Sequence, residues 1–247
     1  DNRPLYCNAR KMLIMAGEMP GLSSDLGTLR VGIKRGDVHL QLDQFSERIA
    51  RYRPGRMEWE VRDPKLPGLA LTMTATTVAA GDGFTVRVQS KGAKAGDELQ
   101  WIIANEKPVA VAGGFKTAKA VISLSGNAAE NLTVPLSDDV PDDFAMKNAK
   151  DPVPATSAFG EGLARVEKLG RQVVVITPDP YFNAGIGASC AAMYGMYIEP
   201  WFAHGGSHWR ICFPGWRIMD GVMAYGWHDL VTGAVKYHGD RQVTNSP

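Results

Sequence analysis

Residues 201–229, WFAHGGSHWRICFPGWRIMDGVMAYGWHD, hold four of the six tryptophans (Trp201, Trp209, Trp216, Trp227) and three of the five histidines (His204, His208, His228), and His238 follows shortly after. Rings, imidazoles, arginines and glycines at this density make up the usual lining of a ligand pocket. An exposed patch of this size is otherwise costly. Trp and Tyr faces stack on the apolar face of a sugar ring, while Arg, His, Asp and Asn satisfy its hydroxyls. His204, His208, Trp209, Arg210, Trp216, Arg217, Trp227 and His228 supply that mixture, which is what a carbohydrate subsite would need. Each Trp has a competing role in a rigid aromatic core, because Trp is highly buried on average. Arg210 and Arg217 have one in salt bridges to Asp220 or Asp229.

Glycoside hydrolysis in its common form needs two carboxyl groups about 5 to 10 Å apart, one acting as acid and the other as base or nucleophile. Glu199, Asp220 and Asp229 are the acidic residues in and beside this stretch. Asp229 and Asp220 are the catalytic candidates, Asp229 first, because Trp227 and His228 beside it can shield it from water. Helix capping or pairing with Arg competes for both. Glu58 and Glu60 alternate with Met57 and Trp59 along a strand, which puts them on a solvated or interdomain face.

Three other motifs carry less. Gly185-x-Gly187-x-x-Cys190 follows a strand-like VVVIT, but the third glycine of a dinucleotide fingerprint is missing and no second βαβ unit appears. His204-x-x-x-His208, with His228 or Asp229 as a third ligand, has zinc spacing. Gly205 and Gly206 work against the helix that this spacing needs, so no metal and no cofactor are expected. Ser189 and Ser207 lie near Cys190 and His208, yet neither sits in a nucleophile elbow.

These residues need a frame, and the preceding chain supplies one. Val38, Leu40 and Leu42, then Leu69, Leu71, Met73 and Ala75, then Phe84, Val86 and Val88 alternate with polar neighbours, the signature of half-buried antiparallel strands. Further strands are expected at 10–16, 28–34, 45–52, 56–62, 98–104, 119–125, 130–136, 161–168 and 171–177. About a dozen short strands with no helical period among them predict a mainly β protein with a large antiparallel β-sandwich. Residues 137–156, acidic and with three prolines, read as a surface connection. YFNAGIGASCAAMYGMYI, from 181, contains no charge, follows Pro178 and Pro180, and reads as a fully buried helix. A second helix is expected to start near Asp220, which makes a C-terminal αα-hairpin.

Bulk properties narrow the partners. The 247 residues carry 27 basic and 26 acidic side chains, a formal charge of +1, which leaves no electrostatic footprint for nucleic acid. No apolar run approaches the roughly 18 residues of a membrane-spanning helix, so no membrane insertion is expected. A chain that starts at Asp1, with neither Met nor leader, fits a product of signal-peptide removal or a trimmed piece. The first reading places it in the periplasm or outside the cell. Cys7, Cys190 and Cys212 are far apart and odd in number, and read as buried thiols with room for at most one disulfide.

RYRPGRMEWE (51–60), FNAGIGASCAA, HGGSHWR, FPGWR and YGWHD resemble a bacterial family of the six-hairpin glycosidase superfamily, glycoside hydrolases with an N-terminal β-sandwich followed by an (α/α)6 toroid. The resemblance implies that residues 1–178 are the sandwich and 179–247 the first hairpin of the toroid. Such enzymes continue for several hundred residues. The resemblance therefore implies a second polypeptide that completes the toroid, with cleavage in the polar tail 238–247 as one origin. It assigns no catalytic role to these positions, and the principal acid belongs either to this chain or to that second part. A non-catalytic carbohydrate-binding or structural subunit is the competing function.

Overall fold

The computed structural model describes residues 3–6, 13–16, 21–24, 27–79, 82–104, 109–114, 119–124, 129–138, 140–148, 155–202 and 212–242. In chain order the strands are β1 (Arg3–Tyr6), β2 (Leu13–Ala16), β3 (Leu22–Ser24), β4 (Gly27–Arg35), β5 (Val38–Gln41), β6 (Glu47–Arg53), β7 (Arg56–Arg62), β8 (Ala70–Thr77), β9 (Asp82–Lys91), β10 (Glu98–Ala104), β11 (Val109–Gly114), β12 (Lys119–Leu124), β13 (Ala129–Pro135) and β14 (Asp142–Asn148). They form two antiparallel sheets. The first runs β1-β2-β3-β4-β10-β13, with β5 also paired to β4, and the second runs β12-β11-β14-β9-β8-β7-β6. This is the mainly β, antiparallel sandwich that the alternating pattern predicts.

The alternation sets the core. On β7, Met57, Trp59 and Val61 are buried, while Glu60 and Arg62 are exposed. Register carries the same face across the sheet, with Trp59 opposite Met73 and Met73 opposite Val88. The first sheet answers with Leu29, Val31 and Ile33 of β4 opposite Ile103, Trp101 and Leu99 of β10. Trp101 and Phe144, one from each sheet, stack with ring centroids 5.1 Å apart. Both are fully buried.

Two stretches depart from expectation. Residues 137–156 are not simply a surface connection, because 142–148 form β14, a central strand between β11 and β9. The acidity that suggested a loop is neutralised in place: Asp143 takes two bonds from Arg87, at 2.7 and 2.8 Å, and Phe144 points into the core. Residues 161–168 are not a strand but part of helix α1 (Ala155–Gly170), and 171–177 form no regular element. Ala158, Phe159, Gly162 and Val166 are the buried positions of α1, a helical period that its three glycines obscure.

Helix α1 lies on the outer face of the second sheet. Ala158 packs with Val78 and Ala145. The Arg87 guanidinium sits 4.3 Å from the centroid of the Phe159 ring, and Arg56 reaches Glu167 at 3.3 Å. Gly162 faces the Thr77 carbonyl so closely that a Cβ would overlap it, and backbone cannot swing aside as a side chain would. Gly162→Ala is therefore expected to cost about 3 kcal/mol and to release α1 from the sheet. Urea midpoints, with near-ultraviolet dichroism to follow the helix packing, check this; a midpoint equal to wild type refutes the close fit.

Helix α2 (Pro180–Gly195) starts as the sequence predicts, with Pro180 at its first position and the Asp179 carboxylate accepting from the backbone N–H of Tyr181 and Phe182 at 2.8 and 3.3 Å. It is not buried on all sides, since Tyr181 and Phe182 are 88% and 54% exposed. A short ladder of β15 (Tyr197–Ile198) and β16 (Trp201–Phe202) follows, with a cis Glu199–Pro200 peptide between them. The second helix of the hairpin does not begin near Asp220. It is two helices, α3 (Cys212–Ala224) and α4 (His228–Gly239), broken where Gly226 adopts a φ of 82° that favours glycine. Phe202, Val222, Val231 and Ala234 form a small core among these elements, separate from that of the sandwich.

Candidate functional site

A cleft of about 520 Å³ opens where α1, the end of α2 and the α3–α4 corner meet, within the usual size range of small-molecule sites. One wall is a stripe of α1 and the residues just beyond it: Arg165, Lys168, Leu169 and Gln172. Arg165, Lys168 and Leu169 fall at the i, i+3, i+4 spacing that brings side chains to one helix face, and Gln172 lies just past the helix end. Tyr194 of α2 and Ala79 contribute further lining, and Gly226 to Leu230 make the opposite wall.

The walls are tied together. Gln172 Nε2 donates to the Tyr225 carbonyl at 3.0 Å, which fixes the stripe against the helix corner. Arg165 Nη1 donates to Thr77 Oγ1 at 3.3 Å and to the Val78 carbonyl at 3.2 Å, and its guanidinium carbon lies 5.4 Å from the centroid of the Tyr194 ring. The Trp227 ring meets Tyr194 edge-on at 5.3 Å and Tyr225 at 5.7 Å. Such edge contacts hold aromatic side chains in one orientation. Trp227 immediately precedes α4 and Asp229 lies in its first turn, where a carboxylate meets the positive end of the helix dipole.

Beside the cleft, burial pushes both the Cys190 thiol and the Tyr225 hydroxyl up. For Cys190 the Val173 N–H and the Tyr225 hydroxyl oppose the shift. For Tyr225 the neighbouring Cys190 adds to it, and Ser189 opposes it. Cys190 is a free, fully buried thiol held protonated at neutral pH. That suits a packing role.

The structure therefore brings Trp227, His228 and Asp229 of the sequence candidates into one cleft. Asp229 is exposed there rather than shielded by its ring neighbours. Arg217 and Asp220 are exposed on α3, and neither lines the cleft. Trp216 belongs to α3, with its side chain outside the described residues. His204, His208, Trp209 and Arg210 also lie outside the described residues. Trp201 is structural: it is buried and meets Tyr237 edge-on at 5.8 Å. Among the described residues no group of three metal-ligating side chains occurs.

Arg165, Lys168, Gln172 and Tyr194 were not among the sequence candidates. The signal that could have found Arg165 and Lys168 is their helical spacing, hidden while 161–168 read as a strand. Tyr194 was masked by the apolar character of α2. Only one acidic residue among those described, Asp229, lines the cleft. Asp220, the other carboxyl candidate, does not line this cleft.

A protein-family model described as "Domain of unknown function (DUF4450)" matches residues 19–108, a span that runs from β3 through β10. No curated protein matches the sequence. Among solved structures, a bacterial glucoamylase complexed with acarbose is similar over 97% of this chain at 9% sequence identity, with a TM-score of 0.51. The chain spans 50% of that glucoamylase chain, and the likeness shows the fold, a β-sandwich followed by helices.

Proposed function

We propose that this chain is the β-sandwich (1–178) and first helical hairpin (179–247) of a glycoside hydrolase of the six-hairpin superfamily, and that it binds sugar in the α1–α2–α4 cleft. The observation that carries the reading is the convergence there of Trp227 and Tyr194 with Arg165, His228 and Asp229, the ring-plus-polar mixture that a saccharide requires. The fold likeness to a glucoamylase over nearly the whole chain supports it. Asp229 is the carboxyl group of the site, and the second comes from outside the described residues. A second polypeptide supplies the remaining hairpins. Its support is the exposed apolar run of Val174, Ile176, Tyr181 and Phe182, before and at the start of α2. The protein acts in the periplasm or outside the cell. No described helix is long and apolar enough to cross a membrane.

The competing function is a carbohydrate-binding subunit without catalysis, favoured by the presence of a single described carboxyl group in the cleft. Titration with plant and microbial oligosaccharides, followed by Trp fluorescence and calorimetry, tests the binding common to both. Trp227→Ala is expected to weaken the best ligand about ten-fold, and Trp227→Phe, which keeps a ring against Tyr194, to weaken it less. An unchanged Kd in both variants places the sugar elsewhere.

A further inference from the structure

The α3–α4 corner carries Trp227, His228 and Asp229 into the cleft, and it turns on a glycine. Gly226 adopts a φ of 82°, and glycine leaves the backbone freer than any other residue does. A tie from outside is what can fix such a corner. The Tyr225 carbonyl lies just past the end of α3, where the last carbonyls of a helix have no partner within it, and Gln172 Nε2 donates to it at 3.0 Å. The same Nε2 stands 4.0 Å from where a Gly226 Cβ would sit, so the amide covers the glycine. The Tyr225 hydroxyl meets Ser189 and Cys190 of α2, and its ring meets the Trp227 ring at 5.7 Å. Tyr225 is thus held at both ends, and Trp227 leans on it. Gln172 is exposed, and the bond to Tyr225 is the one its side chain makes among the described residues.

We propose that Gln172 is a positioning residue of the cleft: by holding the Tyr225 carbonyl it sets the orientation in which the Trp227 ring meets a sugar. This rests on the sugar-binding reading of the cleft. Stacking on a sugar face is strongest when the ring is in place before the sugar arrives, because each side chain ordered on binding costs affinity. Loss of the bond leaves the Tyr225 carbonyl untied beside a glycine, and Tyr225 and Trp227 then shift together. Gln172 belongs to the segment just past α1, the helix seated on the sandwich, whereas Trp227 packs against the small helical core. One hydrogen bond therefore sets the position of one wall of the cleft against the other.

The test measures binding of maltotetraose, cellotetraose and xylotetraose to the full chain by calorimetry. Gln172→Ala is expected to weaken the best bound of the three about five-fold, the net worth of one hydrogen bond. Gln172→Glu, which keeps the reach of the side chain but sets an acceptor against the carbonyl, is expected to lose at least as much. In a Trp227→Ala background Gln172→Ala should cost nothing further, because its effect runs through the ring; a merely structural role would add its loss in both backgrounds. A readout without sugar accompanies this: acrylamide quenching of the part of the emission that Trp227→Phe removes should rise in Gln172→Ala. An unchanged Kd in Gln172→Ala, the same loss with and without Trp227, or unchanged quenching overturns the positioning role and leaves sugar binding standing. Binding of none of the three sugars by wild type overturns both.

Discussion

Asp229→Asn is expected to lower glycoside turnover about 10²–10⁴-fold, the usual contribution of a positioned acid or base, while sugar binding changes by no more than a few-fold. The substitution is nearly isosteric and keeps a polar group at the first turn of α4. Among the described residues the Asp229 side chain has no partner whose loss would disturb the fold. Its charge at the positive end of the helix dipole accounts for about 0.5 kcal/mol, so the thermal midpoint should shift by only a degree or two. A large loss of turnover with an unchanged midpoint thus separates proton transfer from stability. Turnover within two-fold of wild type removes Asp229 from the chemistry. Binding without hydrolysis in either form favours the carbohydrate-binding subunit.

The sandwich was legible because its strands obey one rule over many residues. Met57, Trp59 and Val61 face inward while Glu60 and Arg62 face out, and a one-residue slip would bury the charges. The rule failed at 142–148, where Asp142 and Asp143 give an acidic opening to a strand whose inward residue is Phe144. A buried acid is unreadable from sequence until its cation is known, and Arg87 lies 56 residues away. It failed again at α1, where Gly160, Gly162 and Gly170 argue locally against a helix. Gly162 is there because the helix touches the Thr77 carbonyl, a tertiary demand. The cleft inherits both outcomes. Trp227, His228 and Asp229 stand out as a cluster in the sequence, but Arg165 and Lys168 become site residues only once α1 is a helix. Trp201 and Trp227 look alike in sequence and part ways in the structure, one buried against Tyr237 and one lining the cleft.

Arg35→Met is expected to destabilise the sandwich by about 3 kcal/mol at neutral pH, because it leaves a buried carboxylate without its cation. Asp97 has a side chain only 1% exposed and receives Arg35 Nε at 2.7 Å and Nη2 at 2.6 Å, a bidentate pair. The same guanidinium donates to the carbonyls of Pro67 and Gly92 at 3.1 Å each, so one side chain joins β4 to the loops after β7 and β9. After truncation Asp97 keeps backbone donation from Lys94 at 2.8 Å, too little to replace a charge. The pH dependence follows from the sign of the shift. Hydrogen bonding to Arg35 holds the Asp97 carboxyl below its ordinary range, against the opposing effect of burial. The pair's contribution is therefore complete above about pH 4 and fades as pH falls through the lowered value. Asp63 and Asp138, held low by backbone N–H donors, titrate in the same window in wild type and variant alike. The difference between wild type and Arg35→Met isolates Asp97: urea midpoints should lie far apart at pH 7 and converge toward pH 3. A gap as wide at pH 3 as at pH 7 would assign the loss to the Pro67 and Gly92 contacts instead. Adding Asp97→Asn to Arg35→Met should recover part of the stability, since the buried group is then neutral.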